Sequence, residues 1–168
     1  MTEFHAMRKY HFLIALLVVF LDRLAKWSVA RNIPLHESVQ VIPDFFRLTH
    51  VENSGAAFGL FADSPSEWKI AVLVLFSVIA LVIVSALLWR NSHSMNTTGV
   101  GLALILGGAL GNLWDRLVSG RVVDFLLFYF GQYQWPAFNV ADSAIVVGAG
   151  LLVFEILFTK APAPEKSA

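Results

Sequence analysis

The chain has 168 residues, of which 57% are hydrophobic and only 14% charged, and its Lys and Arg equal its Asp and Glu in number. A soluble domain carries about a quarter charged residues, so this composition places the chain in a membrane. Balanced charge leaves no footprint for nucleic acid, and the lack of cysteine removes a thiol nucleophile, a disulfide framework and any thiolate metal site.

The histidines, His5, His11, His36, His50 and His93, are scattered, with no HExxH and no paired spacing. Metal chemistry needs convergent ligands, so neither a metal nor another cofactor is expected. Residues 1–9 are polar and close on Arg8-Lys9, and the apolar run Tyr10–Leu21 follows. That outline is also the outline of a signal peptide. No small-residue cleavage site follows it, however, and three more apolar segments come later, so it reads as a retained first helix. To reach the roughly 20 residues needed to span, it must continue to about residue 28. Asp22 and Lys26 then lie four apart on one face, where each can neutralise the other.

Residues 28–67 hold no spanning segment and are expected to form a small surface subdomain. Val39–Arg47 is β-branched and aromatic and broken by Pro43, which predicts short strands or a hairpin. In VENSGAAFGLFAD, residues 51–63, Asn53-Ser54-Gly55 is turn chemistry. The aromatics Phe45, Phe46, Phe58, Phe61 and Trp68 are placed to dip into a membrane interface.

Residues 70–89 are apolar and uncharged, the clearest span in the chain. After a polar turn over 90–97, a third span covers 98–117. Gly107 and Gly111 have GxxxG spacing there, which lets a neighbouring helix approach closely. Gly108, Asn112, Asp115 and Arg116 fall at i, i+4, i+7 and i+8 and share one face. A polar stripe on a membrane helix must point at protein or water. Residues 118–138 connect to a fourth span over 139–158, and the Pro/Ala-rich tail 161–168 is expected to be disordered. There is no internal repeat. One membrane domain over 1–160 is expected.

With four spans, the first and third connections share one side of the membrane. The end of helix 1, the Asn53 loop, the end of helix 3, Asp124 and the start of helix 4 with Asn139 and Asp142 therefore meet at one face. The count of Lys and Arg on the two sides is too even to set the orientation. A proton relay through Asp22, Asp124 and Asp142, or a scaffold with structural polar contacts, is the alternative for such charges. A relay would trace a path across the bilayer rather than gather at one face.

The motifs DRLAKW, ENSGAAFG, GGALGNLWDR, VVDF and FNVADS occur in that order with the spans between them. In this the sequence resembles the lipoprotein signal peptidases, or signal peptidase II, bacterial inner-membrane enzymes that cut the signal peptide of prolipoproteins ahead of a lipid-modified cysteine. The resemblance implies an aspartyl peptidase with Asp124 and Asp142 as its catalytic pair. The DTG and GxGD patterns of other aspartyl peptidases are absent. Two carboxylates in one site cannot both ionise cheaply, so one keeps a proton while the other activates water. If Asn139 caps helix 4, Asp142 lies at the third helical position, where the helix dipole favours its anion, and Asp124 is expected to hold the proton.

Asn53, Asn112 and Arg116 are expected to bond the substrate backbone and Asn139 to orient a carboxylate. Asp115 is expected to pair with neighbouring positive charge, and Gly108 to serve packing. The implied partners are a lipid-modified prolipoprotein and membrane lipid, with no nucleic acid, and the chain is expected to be a monomer. The implied setting is the inner membrane, with both termini cytoplasmic and the site at the periplasmic face. The long loop, with Phe58 and Phe61 near its tip, is expected to close over the cleft.

Overall fold

A computed structural model describes residues 2–55, 67–91 and 95–158. The expected lid tip at Phe58 and Phe61 and the tail 161–168 lie outside the described residues. Four helices and four strands follow in chain order. They are α1 (Thr2–Asn32), β1 (Ser38–Ile42), β2 (Phe46–Asn53), α2 (Glu67–Arg90), α3 (Thr97–Ser119), β3 (Val122–Phe130), β4 (Tyr133–Gln134) and α4 (Val140–Phe158).

Three helices, over Trp68–Arg90, Thr97–Ser119 and Val140–Phe158, are long and apolar enough to cross a membrane among the described residues. At 1.5 Å per residue they run about 28–35 Å, against a hydrocarbon core of about 30 Å. Their outer sides are apolar and exposed, as at Phe76, Val82, Ile83, Val146 and Ile156. α1 is longer, at 31 residues, but carries Asp22, Arg23 and Lys26 on its last third. It continues past the expected end near residue 28 and stops before Pro34, whose ring disfavours a helical residue ahead of it.

α3 is the central helix. Of its most apolar window 56% is buried, against 6% for α2 and 17% for α4. Its glycines make that possible on two sides. A Cβ at Gly107 would stand 2.7 Å from the Ala15 carbonyl of α1, and one at Gly108 would stand 2.8 Å from Ile145 of α4. Ala15, Leu88, Leu102, Ala103 and Leu106 form the core between α1, α2 and α3. α3 starts on Asn96, whose side chain accepts from Gly99 N, and ends on Gly120 at φ 70.

The sheet is antiparallel with strand order β1-β2-β3-β4. The expected hairpin forms around Pro43, with Asp44 in the left-handed region at φ 54. The sheet is not confined to the connection between the first two spans, as the sequence suggested. Its third and fourth strands come from residues 122–134, on the connection between α3 and α4. Val29, Ile33 and Phe125 form a second core that seats this sheet on the end of α1.

Candidate active site

The register between β2 and β3 sets Val51 opposite Asp124 and Asn53 opposite Val122. Residues two apart on a strand share a face, so Asn53 is a diagonal neighbour of Asp124. Asn53 Oδ1 accepts from Gly55 N at 2.8 Å in a local turn, which leaves Nδ2 to donate to Asp124 Oδ2 at 3.0 Å.

Asp142 reaches the same place through Phe138. Leu126 N of β3 donates to Phe138 O at 2.8 Å, and Phe138 N donates back to Leu126 O at 3.1 Å. The next residue, Asn139, begins α4. Its Oδ1 accepts from Asp142 N at 2.9 Å, and its own N donates to Asp142 Oδ2 at 3.3 Å. This is a reciprocal cap of the helix start. Asn139 Nδ2 also donates to Asp124 Oδ1 at 2.7 Å. One residue with 0% exposure therefore holds both carboxylates.

A charged layer from α1 and α3 backs the pair. Lys26 Nζ lies 2.7 Å from Asp22 Oδ2 and 2.7 Å from Asp115 Oδ2, and it donates to Asn112 Oδ1 at 3.1 Å. With its oxygen so engaged, Asn112 turns Nδ2 to Asp142 Oδ1 at 2.7 Å. Asp22 Oδ1 accepts from Ala141 N at 2.9 Å, a first-turn N–H that α4 cannot satisfy itself. Arg23 pairs with Asp115 from the other side. Two anions against two cations leave the layer neutral, the condition under which such charges are tolerated in a buried place. Gly111 makes the room, since a Cβ there would stand 2.8 Å from Asp22 Oδ2.

Both aspartates open onto a cavity of about 710 Å³, within the usual range for small-molecule and peptide sites. Asn53, Asn112 and Arg116 share its polar end, while Phe45, Phe128, Phe130, Trp135 and Val146 belong to a long apolar wall. Arg116 donates from Nη1 to Asn112 O at 3.1 Å and from Nη2 to Gly55 O at 3.4 Å. Burial, and next the Asp142 carboxylate beside it, push the Asp124 carboxyl up to about 6, against the donors Asn53 and Asn139. A carboxyl so poised keeps its proton up to about pH 6, far above an ordinary aspartate, and in that form can donate to a carbonyl. A second carboxylate facing the same cavity can take a proton from water.

The residues singled out in the sequence, Asp22, Lys26, Asn53, Gly108, Asn112, Asp115, Arg116, Asp124, Asn139 and Asp142, all meet in this region. Three of the detailed expectations change. Asn53 and Asn112 line the cavity, but their amides donate to Asp124 and Asp142 rather than standing clear as substrate donors. Asp115 finds its cations on α1, at Arg23 and Lys26, not beside it on α3. Sequence reasoning left Arg23 unassigned. It also missed the aromatic wall, although the β-branched and aromatic run VVDFLLFYF is a strand signal that could have found it.

Residues 14–158 match the family model described as Signal peptidase (SPase) II. The lipoprotein signal peptidase of Solibacter usitatus is 45% identical over 154 residues, covering 92% of this chain and 94% of that protein. That of Desulforapulum autotrophicum is 48% identical over 154 residues, covering 89% and 93%. A solved bacterial membrane enzyme superposes with a TM-score of 0.82 at 31% identity, covering 95% of this chain and 94% of its own. A second gives 0.80 at 30% identity, over 90% and 95%. A family match across nearly the whole length, joined to membrane-enzyme neighbours and apolar helices, makes this chain a multi-pass membrane peptidase of the aspartic type, a member of the signal peptidase II family.

Proposed function

We propose that the chain removes the signal peptide of a diacylglyceryl-modified prolipoprotein, cutting ahead of the lipidated cysteine with water activated by Asp124 and Asp142. The observation that carries this reading is Asn139, which bonds both carboxylates at the polar end of an otherwise apolar cavity. Asp142, at the start of α4 and with donors from Asn112 and Asn139 N, is the ionised partner and general base. Asp124, more deeply buried, carries the proton and polarises the scissile carbonyl, then helps protonate the leaving amine. Arg116 and the apolar wall hold the substrate beside the pair, with the acyl chains reaching the cavity from the bilayer side.

All four helices cross the membrane in this reading, α1 using the neutral layer on its last third to do so. The protein works as a monomer of one membrane domain in a bacterial inner membrane, with both termini cytoplasmic and the cavity at the periplasmic face. Purified protein in liposomes, given a synthetic diacylglyceryl prolipoprotein, should release one peptide and leave the lipidated cysteine as the new N-terminus by intact mass. A cut elsewhere, or equal cleavage of the unlipidated precursor, would overturn the substrate assignment.

A further inference from the structure

β2 carries one residue more than its partner strand needs. Its pairing with β3 runs from Phe46 opposite Phe128 to Leu48 opposite Leu126, then resumes with Val51 opposite Asp124 and Asn53 opposite Val122. Thr49 and His50 together therefore stand against Phe125 alone, which is a β-bulge. Faces alternate along a strand, so Phe46 and Asn53, seven apart, would lie on opposite faces of an unbroken β2. The extra residue restores the phase. Phe46 stacks on the cavity ring Phe128 at 4.7 Å, and Asn53 still reaches Asp124 at 3.0 Å. Without the bulge the Asn53 amide would point away from the pair.

The segment between α1 and β1 holds the bulge in place. His50 Nδ1 lies 2.8 Å from Ile33 O, and a carbonyl only accepts, so Nδ1 carries the hydrogen and donates. Ile33 directly follows α1, where carbonyls have no donor within the helix. His36 N donates to His50 O at 2.8 Å and His50 N to Glu37 O at 3.1 Å. Thr49 Oγ1 also donates to Glu37 O, at 3.1 Å. Thr49 and His50 are both buried and neither lines the cavity, yet they fix the point where β2 changes phase. We propose that His50, aided by Thr49, is a positioning residue of the reaction: its bond to the end of α1 fixes the bulge that turns the Asn53 amide onto Asp124. The inference rests on the reading of Asp124 as one of the two catalytic carboxylates.

The test is a carbon-13 titration of the aspartate carboxyls of the full chain in detergent micelles, with the Asp124 signal identified by its loss in Asp124→Asn. It is read in wild type, His50→Leu, His50→Asn, Thr49→Val, Asn53→Ala and the double variant His50→Leu with Asn53→Ala. The Asn53 bond favours the ionised form of Asp124, while Asp142 and Lys26 act on it by charge and stay in place in all of these. His50→Leu should therefore raise the Asp124 midpoint by about 0.4–1 pH unit, the scale of one lost hydrogen bond. His50→Asn, whose amide can donate from nearly the place of Nδ1, should stay near wild type. Thr49→Val should move the midpoint the same way as His50→Leu but by less, and the double variant should move no further than Asn53→Ala. A lower melting temperature in His50→Leu with the midpoint unmoved would make the residue a structural pin only. A further shift in the double variant would mean a route other than Asn53. Either result overturns the proposal. If His50→Leu does not fold, Thr49→Val decides, and an unmoved midpoint there overturns it too. Because the titration needs no substrate, a wild type that fails to cleave prolipoprotein would refute the function assigned above and leave this inference to its own result.

Discussion

Replacing Lys26 by Met keeps the length of the side chain and removes the ammonium between Asp22 and Asp115. Lys26 is 2% exposed and lies 2.7 Å from a carboxylate oxygen of each. Arg23 still pairs with Asp115, so the uncompensated charge falls on Asp22, whose remaining bond is from Ala141 N at 2.9 Å. Removing one partner of a buried pair costs about 3–5 kcal/mol. At about 2–4 °C per kcal/mol for a chain of this size, the melting temperature in detergent should fall by roughly 6–20 °C. Adding Asp22→Asn removes the orphaned charge and should recover most of that loss, a coupling visible as a double-mutant cycle. Activity should behave differently. Asn112 Oδ1 lacks its Lys26 donor in both variants, so the amide that holds Asp142 stays loose and kcat should remain down by about tenfold or more. A single variant that melts within about 1 °C of wild type, or a double no more stable than the single, would refute the reasoning about the layer.

The raised Asp124 carboxyl gives a signed pH dependence. Its ordinary value is 3.8 and its folded value about 6, so between about pH 4 and 6 the folded chain binds more protons than the unfolded one, and stability falls as pH rises. Ionising Asp124 costs the fold about 3 kcal/mol by that shift. Melting of Asp124→Asn relative to wild type should accordingly be more favourable at pH 8 than at pH 4, and a pH-independent difference would contradict it. Asn53 favours the ionised form of Asp124, so Asn53→Ala should move the high-pH limb of kcat/KM upward. An unmoved or lowered limb would show that Asn53 does not tune the pair. Gly111→Ala should push Asp22 off its partners and cost about 1–3 kcal/mol, whereas Gly150→Ala, with nothing within 4 Å of the added Cβ, should be neutral or mildly stabilising by helix propensity. Comparable losses at both positions in a thermal scan would argue against the close approach at Gly111.

Periodicity made the helices legible, because twenty apolar residues in a row have few alternatives to a span and a polar stripe such as Asn112, Asp115 and Arg116 must face inward. If the apolar runs cross in turn, the polar clusters fall at one face, and the fold does bring Asn53, Asn112, Asp124, Asn139 and Asp142 together. Pairing partners were not legible. The ladder that joins Phe46–Asn53 to Val122–Phe130 links segments some seventy residues apart, and no local pattern encodes it. The same holds for Arg23 and Asp115, and for the amides of Asn53 and Asn112. Their direction is fixed by second bonds, to Gly55 N and Lys26 Nζ, that exist only once the chain has folded. Asn139 was the exception. An Asn three residues before an Asp at a helix start predicts a cap, and the cap forms.

The central claim is that two carboxylates share one reaction. Cleavage of a diacylglyceryl-modified prolipoprotein in liposomes by wild type, Asp124→Asn and Asp142→Asn, with melting curves to verify folding, measures it directly. The account predicts that each folded variant loses cleavage, since Asn at either position can neither take a proton from water nor supply one to the carbonyl. Full cleavage by either folded variant would contradict it.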